Sequence, residues 1–129
     1  MKTIVFDFDG VIHKGYTGWR DGSIYGTIDT DLLDYIVMLM FEYYVVISSN
    51  RPAQQIVDCL NERGYFAEVF HKTPDNMYWE KEMIIGVTNE KPIGILYIDD
   101  RGYRYNPKHS TSRNIRAIER MIEKANHDR

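Results

Sequence analysis

Short apolar runs alternate with stretches of helical periodicity along most of this chain, and that alternation limits the fold more than any other feature. Ile4-Val5-Phe6 and Tyr44-Val45-Val46-Ile47 are unbroken apolar runs of the length of buried strands. Ala67 to Phe70 predicts a short third strand, and Ile93 to Ile98 a fourth. Between the first two runs, Leu32, Leu33, Ile36, Leu39 and Met40 recur at helical spacing, with Thr30 as the expected cap. A second helix is expected to open at Pro52, to carry Ile56, Val57 and Leu60, and to end at Gly64. A last helix from about Ser112 places Ile115, Ile118, Met121, Ile122 and Ala125 on one face. Residues 71–90 carry a weak pattern, read as a further helix over Met77 to Ile85. Gly10, Gly15, Gly18, Gly22 and Gly26 mark a loop or hairpin after the first strand.

Strands that alternate with helices imply an α/β fold, here a three-layer, Rossmann-like parallel sheet with helices on both faces. At 129 residues the chain is expected to form a single domain, 1–129, large enough to bury a core without disulfides. One cysteine, Cys59, excludes a disulfide scaffold, and its place on an apolar helix face reads as core. Asp7 interrupts the first apolar run too early for a secretory signal, so a cytoplasmic location and no membrane association are expected. The net charge of −3 is unevenly placed. Residues 1–100 hold 8 basic and 16 acidic side chains, and residues 101–129 hold 8 basic and 3 acidic. The basic tail reads as a solvated helix face, with an anionic partner as the alternative.

In parallel sheets ligands bind beyond the carboxyl ends of the strands. Asp7-Phe8-Asp9-Gly10-Val11 follows the first strand, Ser48-Ser49-Asn50 the second, and Asp99-Asp100 the fourth, which Lys91-Pro92 precedes. Each motif alone has a structural explanation as a turn, a cap or a solvated loop. Together they bring four carboxylates, a hydroxyl and a lysine to one sheet edge. Clustered carboxylates repel unless a cation or proton intervenes, and a hard divalent ion with oxygen ligands suits them.

This ordered set resembles the haloacid dehalogenase superfamily of aspartate-nucleophile phosphatases, over about residues 2–105. Its first motif, an apolar strand ending in Asp-x-Asp-Gly, is similar to Val5 to Val11, and its second to Val45 to Ser49. Ser49-Asn50-Arg51-Pro52 resembles the Thr-Asn-Lys-Pro form of phosphoglycolate-phosphatase-like members. Lys91 stands where a third motif is expected, and Tyr97-Ile98-Asp99-Asp100 resembles the fourth. The resemblance implies a Mg2+-dependent phosphohydrolase acting on a phosphomonoester, a small molecule or a nucleic-acid end. Asp7 would be the nucleophile and Asp9 the general acid and base. Ser49 and Lys91 would neutralise the phosphoryl group, with Phe8, Asn50 and Arg101 binding substrate. Asp7, Asp9 through its carbonyl, Asp99 and Asp100 would hold Mg2+. Residues 11–29 and the twenty or so before Lys91 are too short for a cap domain, so a capless member is implied. A homo-oligomer stays open.

Readings from other classes are a receiver-like phosphoacceptor domain and a non-catalytic binding module. In receivers the acidic pair follows the first strand, whereas Asp99-Asp100 comes late. His13, His71, His109 and His127 lack metal-site spacing. Tyr16, Trp19 and Tyr25 have two readings, stacking on a substrate or packing their loop against the body, and packing is the simpler.

Overall fold

The computed structural model describes residues 1–90, 92–99, 103–104 and 109–127, with backbone alone for Asp99, Tyr103, Arg104 and His127. Strand β1 (Lys2–Asp7) leads into a two-stranded antiparallel hairpin, β2 (His13–Lys14) with β3 (Thr27–Ile28). Helix α1 (Thr30–Leu39), β4 (Tyr43–Ser48), α2 (Ala53–Glu62) and β5 (Ala67–Val69) follow. The chain ends with β6 (Ile85–Thr88), β7 (Leu96–Asp99), the two-residue β8 (Tyr103–Arg104) and α3 (Thr111–His127). The main sheet runs β5-β6-β4-β1-β7-β8, and every adjacent pair is parallel. The α/β class and the parallel sheet expected from the alternation are therefore present.

The ladder registers separate the two faces of the sheet. Ile4, Phe6, Val45, Ile47, Ile85, Val87 and Ile98 share one face, because Ile4 pairs with Val45 and Leu96, and Ile47 with Phe6 and Val87. These seven are fully buried and join one apolar cluster with Leu32 and Ile36 of α1, Ile56 and Leu60 of α2, and Ile118 and Ile122 of α3. Burying each such side chain contributes about 1.5–3 kcal/mol, so this layer supplies most of the driving force. The opposite face carries Val46, which packs with Phe70 and Trp79.

Helices on both faces are thus not what the described residues form: all three pack on one face, and irregular chain covers the other. Crossover handedness gives the reason for α1 and α2. The connections β1–α1–β4 and β4–α2–β5 step the same way across the sheet, so right-handed crossovers put both helices on one face. The returns from β5 to β6 and from β6 to β7 step the other way and pass over the second face. Neither has a helix there among the described residues.

The helix expected over Met77 to Ile85 is absent. Trp79 instead lies across β6, its indole nitrogen donating to the Ile84 carbonyl (3.0 Å). Gly86 makes this contact feasible, since a Cβ there would sit 2.6 Å from a Trp79 ring carbon. Met83, at φ 61°, also breaks any helical path before β6 begins. The fourth predicted strand starts later than Ile93, at Leu96, because residues 92–95 cross beneath Thr3 and Val5. The cap of α1 is Asp29 rather than Thr30, its carboxylate accepting from the Leu32 amide at 3.0 Å. Pro52 opens α2, Gly64 closes it at φ 87°, and Cys59 is buried as expected. Burial raises the Cys59 thiol pKa, against the nearby Arg63 guanidinium, which fits an inert core residue. Among the described residues no helix is long and apolar enough to cross a membrane.

Candidate active site

A cavity of about 980 Å³ opens at the carboxyl ends of β1 and β4. Asp7, Asp9, Ser48, Ser49, Asn50 and Arg51 line it from the sheet side, and Tyr16 and Trp19 from the hairpin loop. Parallel pairing positions the polar residues: Asp7 ends β1 opposite Ser48, which ends β4. Continuing the β1–β7 register by one residue sets the Asp99 backbone beside Asp7. Asp7, Asp9, Ser49 and Asn50 are therefore brought together. Lys91, Asp100 and Arg101 lie outside the described residues, as do Tyr105 and Lys108 of the basic tail.

Local geometry differentiates the two serines. Ser48 Oγ donates to the Glu90 carbonyl at 2.9 Å. Buried Ser49 uses Oγ as an acceptor from the Arg51 amide (3.1 Å), and its hydroxyl hydrogen is uncommitted among the described residues. The Ser49 amide donates to Thr88, and Asn89 Nδ2 ties the carbonyls of Ser49 and Arg51, so the loop into α2 is fixed on both sides. The amide of Phe8 donates to Asp7 Oδ1 at 2.8 Å, while its ring is fully buried in the core. The amides of Asp9 and Asn50 and the Asp9 carbonyl have no hydrogen-bond partner among the described residues.

Arg51 and His13 were not singled out by sequence reasoning, yet they organise the site. Arg51 is 1 % exposed, and its Nε donates to both Asp9 oxygens at 2.9 Å. Its Nη1 donates to the Gly22 carbonyl (2.8 Å), which also accepts from Gln55 Nε2 (2.7 Å). The guanidinium faces the rings of Trp19 (5.2 Å) and Tyr16 (5.8 Å). Fully buried His13 bonds Asp9 Oδ1 through Nδ1 at 2.7 Å, and its Nε2 accepts from the Gly26 amide at 2.7 Å. Since Nε2 accepts, the ring proton of neutral His13 is on Nδ1 and points at Asp9. A Cβ at Gly26 would lie 2.8 Å from His13 Nε2 and against the Lys14 carbonyl, so only glycine fits. The Asp9–His13 spacing of four residues was the one signal available in the sequence; Arg51 meets Asp9 across 42 residues.

Lys14, Asp29 and Thr111 anchor the hairpin from behind. Lys14 Nζ lies 3.0 Å from Asp29 Oδ2 and donates to Thr111 Oγ1, which donates in turn to Asp29 Oδ2 (2.7 Å). Burial acts to raise the Asp29 pKa, but the bonds from the Leu32 amide, Thr111 and Lys14 outweigh it and lower the value.

Among the described residues no three acidic, histidine or cysteine side chains form a metal-holding group. The donors that fit a hard cation are the Asp7 carboxylate and the unbonded Asp9 carbonyl, since the Asp9 carboxylate is engaged by Arg51 and His13. The chain is thus an α/β protein whose parallel sheet ends in a polar cavity walled partly by aromatic rings. No family model, curated protein or solved structure matches it.

Proposed function

We propose that the chain is a capless, haloacid-dehalogenase-like phosphohydrolase that uses Mg2+ and acts on a phosphomonoester. The observation that carries this reading is the meeting of Asp7, Asp9 and Ser49 at one cavity, with two unpartnered amides beside them. Such a site offers donors to phosphoryl oxygens where charge develops in the transition state. Asp7 attacks phosphorus through a carboxylate oxygen, and the ester oxygen leaves with a proton from Asp9. Asp9 then takes a proton from water, whose oxygen attacks phosphorus and releases phosphate and free Asp7. Asp9 Oδ1 takes both Arg51 and His13, whereas Oδ2 takes Arg51 alone, so Oδ2 is the oxygen with room to carry that proton. Ser49 Oγ and the Asp9 and Asn50 amides donate to the phosphoryl oxygens. Arg51 and His13 hold the Asp9 carboxylate in place. Asp7, the Asp9 carbonyl, Asp99 and Asp100 would hold Mg2+, which supplies charge neutralisation when bound. Lys91 would add to it, and Arg101 would contact the substrate.

Hydrolysis of a generic aryl phosphate is expected to vanish in EDTA and return with Mg2+. Asp7→Asn is expected to abolish transfer of labelled phosphate to the protein. Full turnover in excess chelator, or label retained on the protein after Asp7→Asn, would overturn this mechanism. A stable phosphoprotein that releases no phosphate would favour the receiver-like reading, and no phosphate chemistry at all the binding module.

A further inference from the structure

The two tryptophans of the chain sit in opposite circumstances. Trp79 is 5 % exposed, fills one face of the sheet and satisfies its indole nitrogen on a backbone carbonyl. Trp19 is 60 % exposed, and its indole nitrogen has no protein partner among the described residues. Packing of the loop against the body explains Tyr25, whose hydroxyl accepts from the Thr17 amide and donates to the Gly18 carbonyl. It does not explain Trp19. The loop is nonetheless held firmly, because Gly22 is tied by Arg51, just before α2, and by Gln55 in its first turn. One edge of the Trp19 ring rests 3.3 Å from where a Gly22 Cβ would be, and the buried Arg51 guanidinium lies 5.2 Å from the ring centre. Tyr16, whose ring centre lies 5.8 Å from the same guanidinium, lines the same cavity and stacks on Tyr25 at 5.9 Å. An exposed aromatic ring is thereby fixed at the mouth of the cavity that Asp7 lines.

We infer that Trp19 and Tyr16 form a stacking subsite for a planar aromatic ring carried on the phosphate ester. The cavity volume of about 980 Å³ is of the size that encloses a whole small ligand rather than a phosphate alone. Rings held rigid on a loop stack with little entropic cost, and every aromatic base or aryl group offers them a π-face. The ring specificity rests on the phosphohydrolase reading for the phosphate end of the ligand only.

The test compares a nucleoside 5′-monophosphate with ribose 5-phosphate, which differ only in the base. Without Mg2+, the nucleotide is expected to quench the fluorescence of Trp19 and the sugar phosphate is not; Trp19→Phe removes that signal and leaves buried Trp79 as the control. In turnover, the ratio of kcat/KM for nucleotide over sugar phosphate is expected to fall about tenfold in Trp19→Ala and to be largely kept in Trp19→Phe. Phenyl phosphate forms a second arm: stronger quenching by it than by the nucleotide puts the ring directly on the ester. Quenching by a ring-bearing ester with no hydrolysis of any ester would keep this subsite and overturn the phosphohydrolase reading. Hydrolysis with equal kcat/KM for the two sugar esters and no quenching would overturn the subsite alone. Neither quenching nor hydrolysis would overturn both.

Discussion

Replacing Arg51 by methionine keeps an unbranched chain out to about the position of Nε and removes the guanidinium, its charge and all its donors. Asp9 then loses both bonds from Nε and retains only His13. Breaking a buried ion pair costs about 3–5 kcal/mol when the orphaned charge has no other recourse. Asp9 is 18 % exposed, so water and the His13 proton recover part of that loss. The Gly22 carbonyl keeps Gln55, and the aromatic contacts of the guanidinium are worth about 0.5–1 kcal/mol. The net cost is about 2–3 kcal/mol, or a fall of roughly 10 °C in Tm for a chain of this size. Asp9→Asn removes the opposite charge at a similar cost, since it leaves the buried guanidinium without a counter-charge. In the double variant neither charge remains, so the cycle should return a coupling of about 1.5 kcal/mol or more. Urea unfolding followed by circular dichroism, with a common slope, measures all four states. A coupling below about 0.5 kcal/mol would show that this pair does not hold the loop after β1 to the start of α2.

Gly26→Ala forces a methyl group against the Lys14 carbonyl and His13 Nε2, so the hairpin must open; we expect a loss of about 2 kcal/mol or more by urea unfolding, and an unchanged midpoint would refute the close approach. Asp29→Asn keeps a cap acceptor for α1 but loses the Lys14 ion pair, at a cost of about 1 kcal/mol at pH 7. Because the folded pKa of Asp29 is lowered, its contribution is full above the unfolded value of 3.8 and is lost as pH falls through the folded value. The stability difference between the two proteins should therefore narrow below about pH 4 in denaturant titrations, and a gap independent of pH would refute the assignment.

Much of the architecture is written in short-range pattern. The apolar stripe of Leu32, Leu33, Ile36, Leu39 and Met40 and the runs through Val5 and Val46 specify their elements because burial must follow the period of the backbone. Gly64 and Pro52 mark the ends of α2 for equally local reasons. The convergence of Asp7, Asp9 and Ser49 also followed from the sequence, since parallel strands must deliver their carboxyl ends to one edge. The β6 strand was not legible: Ile85-Gly86-Val87-Thr88 is too short to reveal its period, and Gly86 is there to admit Trp79. The placement of α1 and α2 on one face depends on the direction of their crossovers, which is a property of strand order rather than of periodicity. Arg51 shows the same limit at the site. Its neighbours in sequence suggest a turn before a helix, whereas its charge is matched 42 residues away by Asp9 and by a carbonyl of the hairpin loop. Periodicity is a local property, and the partner of a buried charge is chosen only once the chain has brought distant segments into contact.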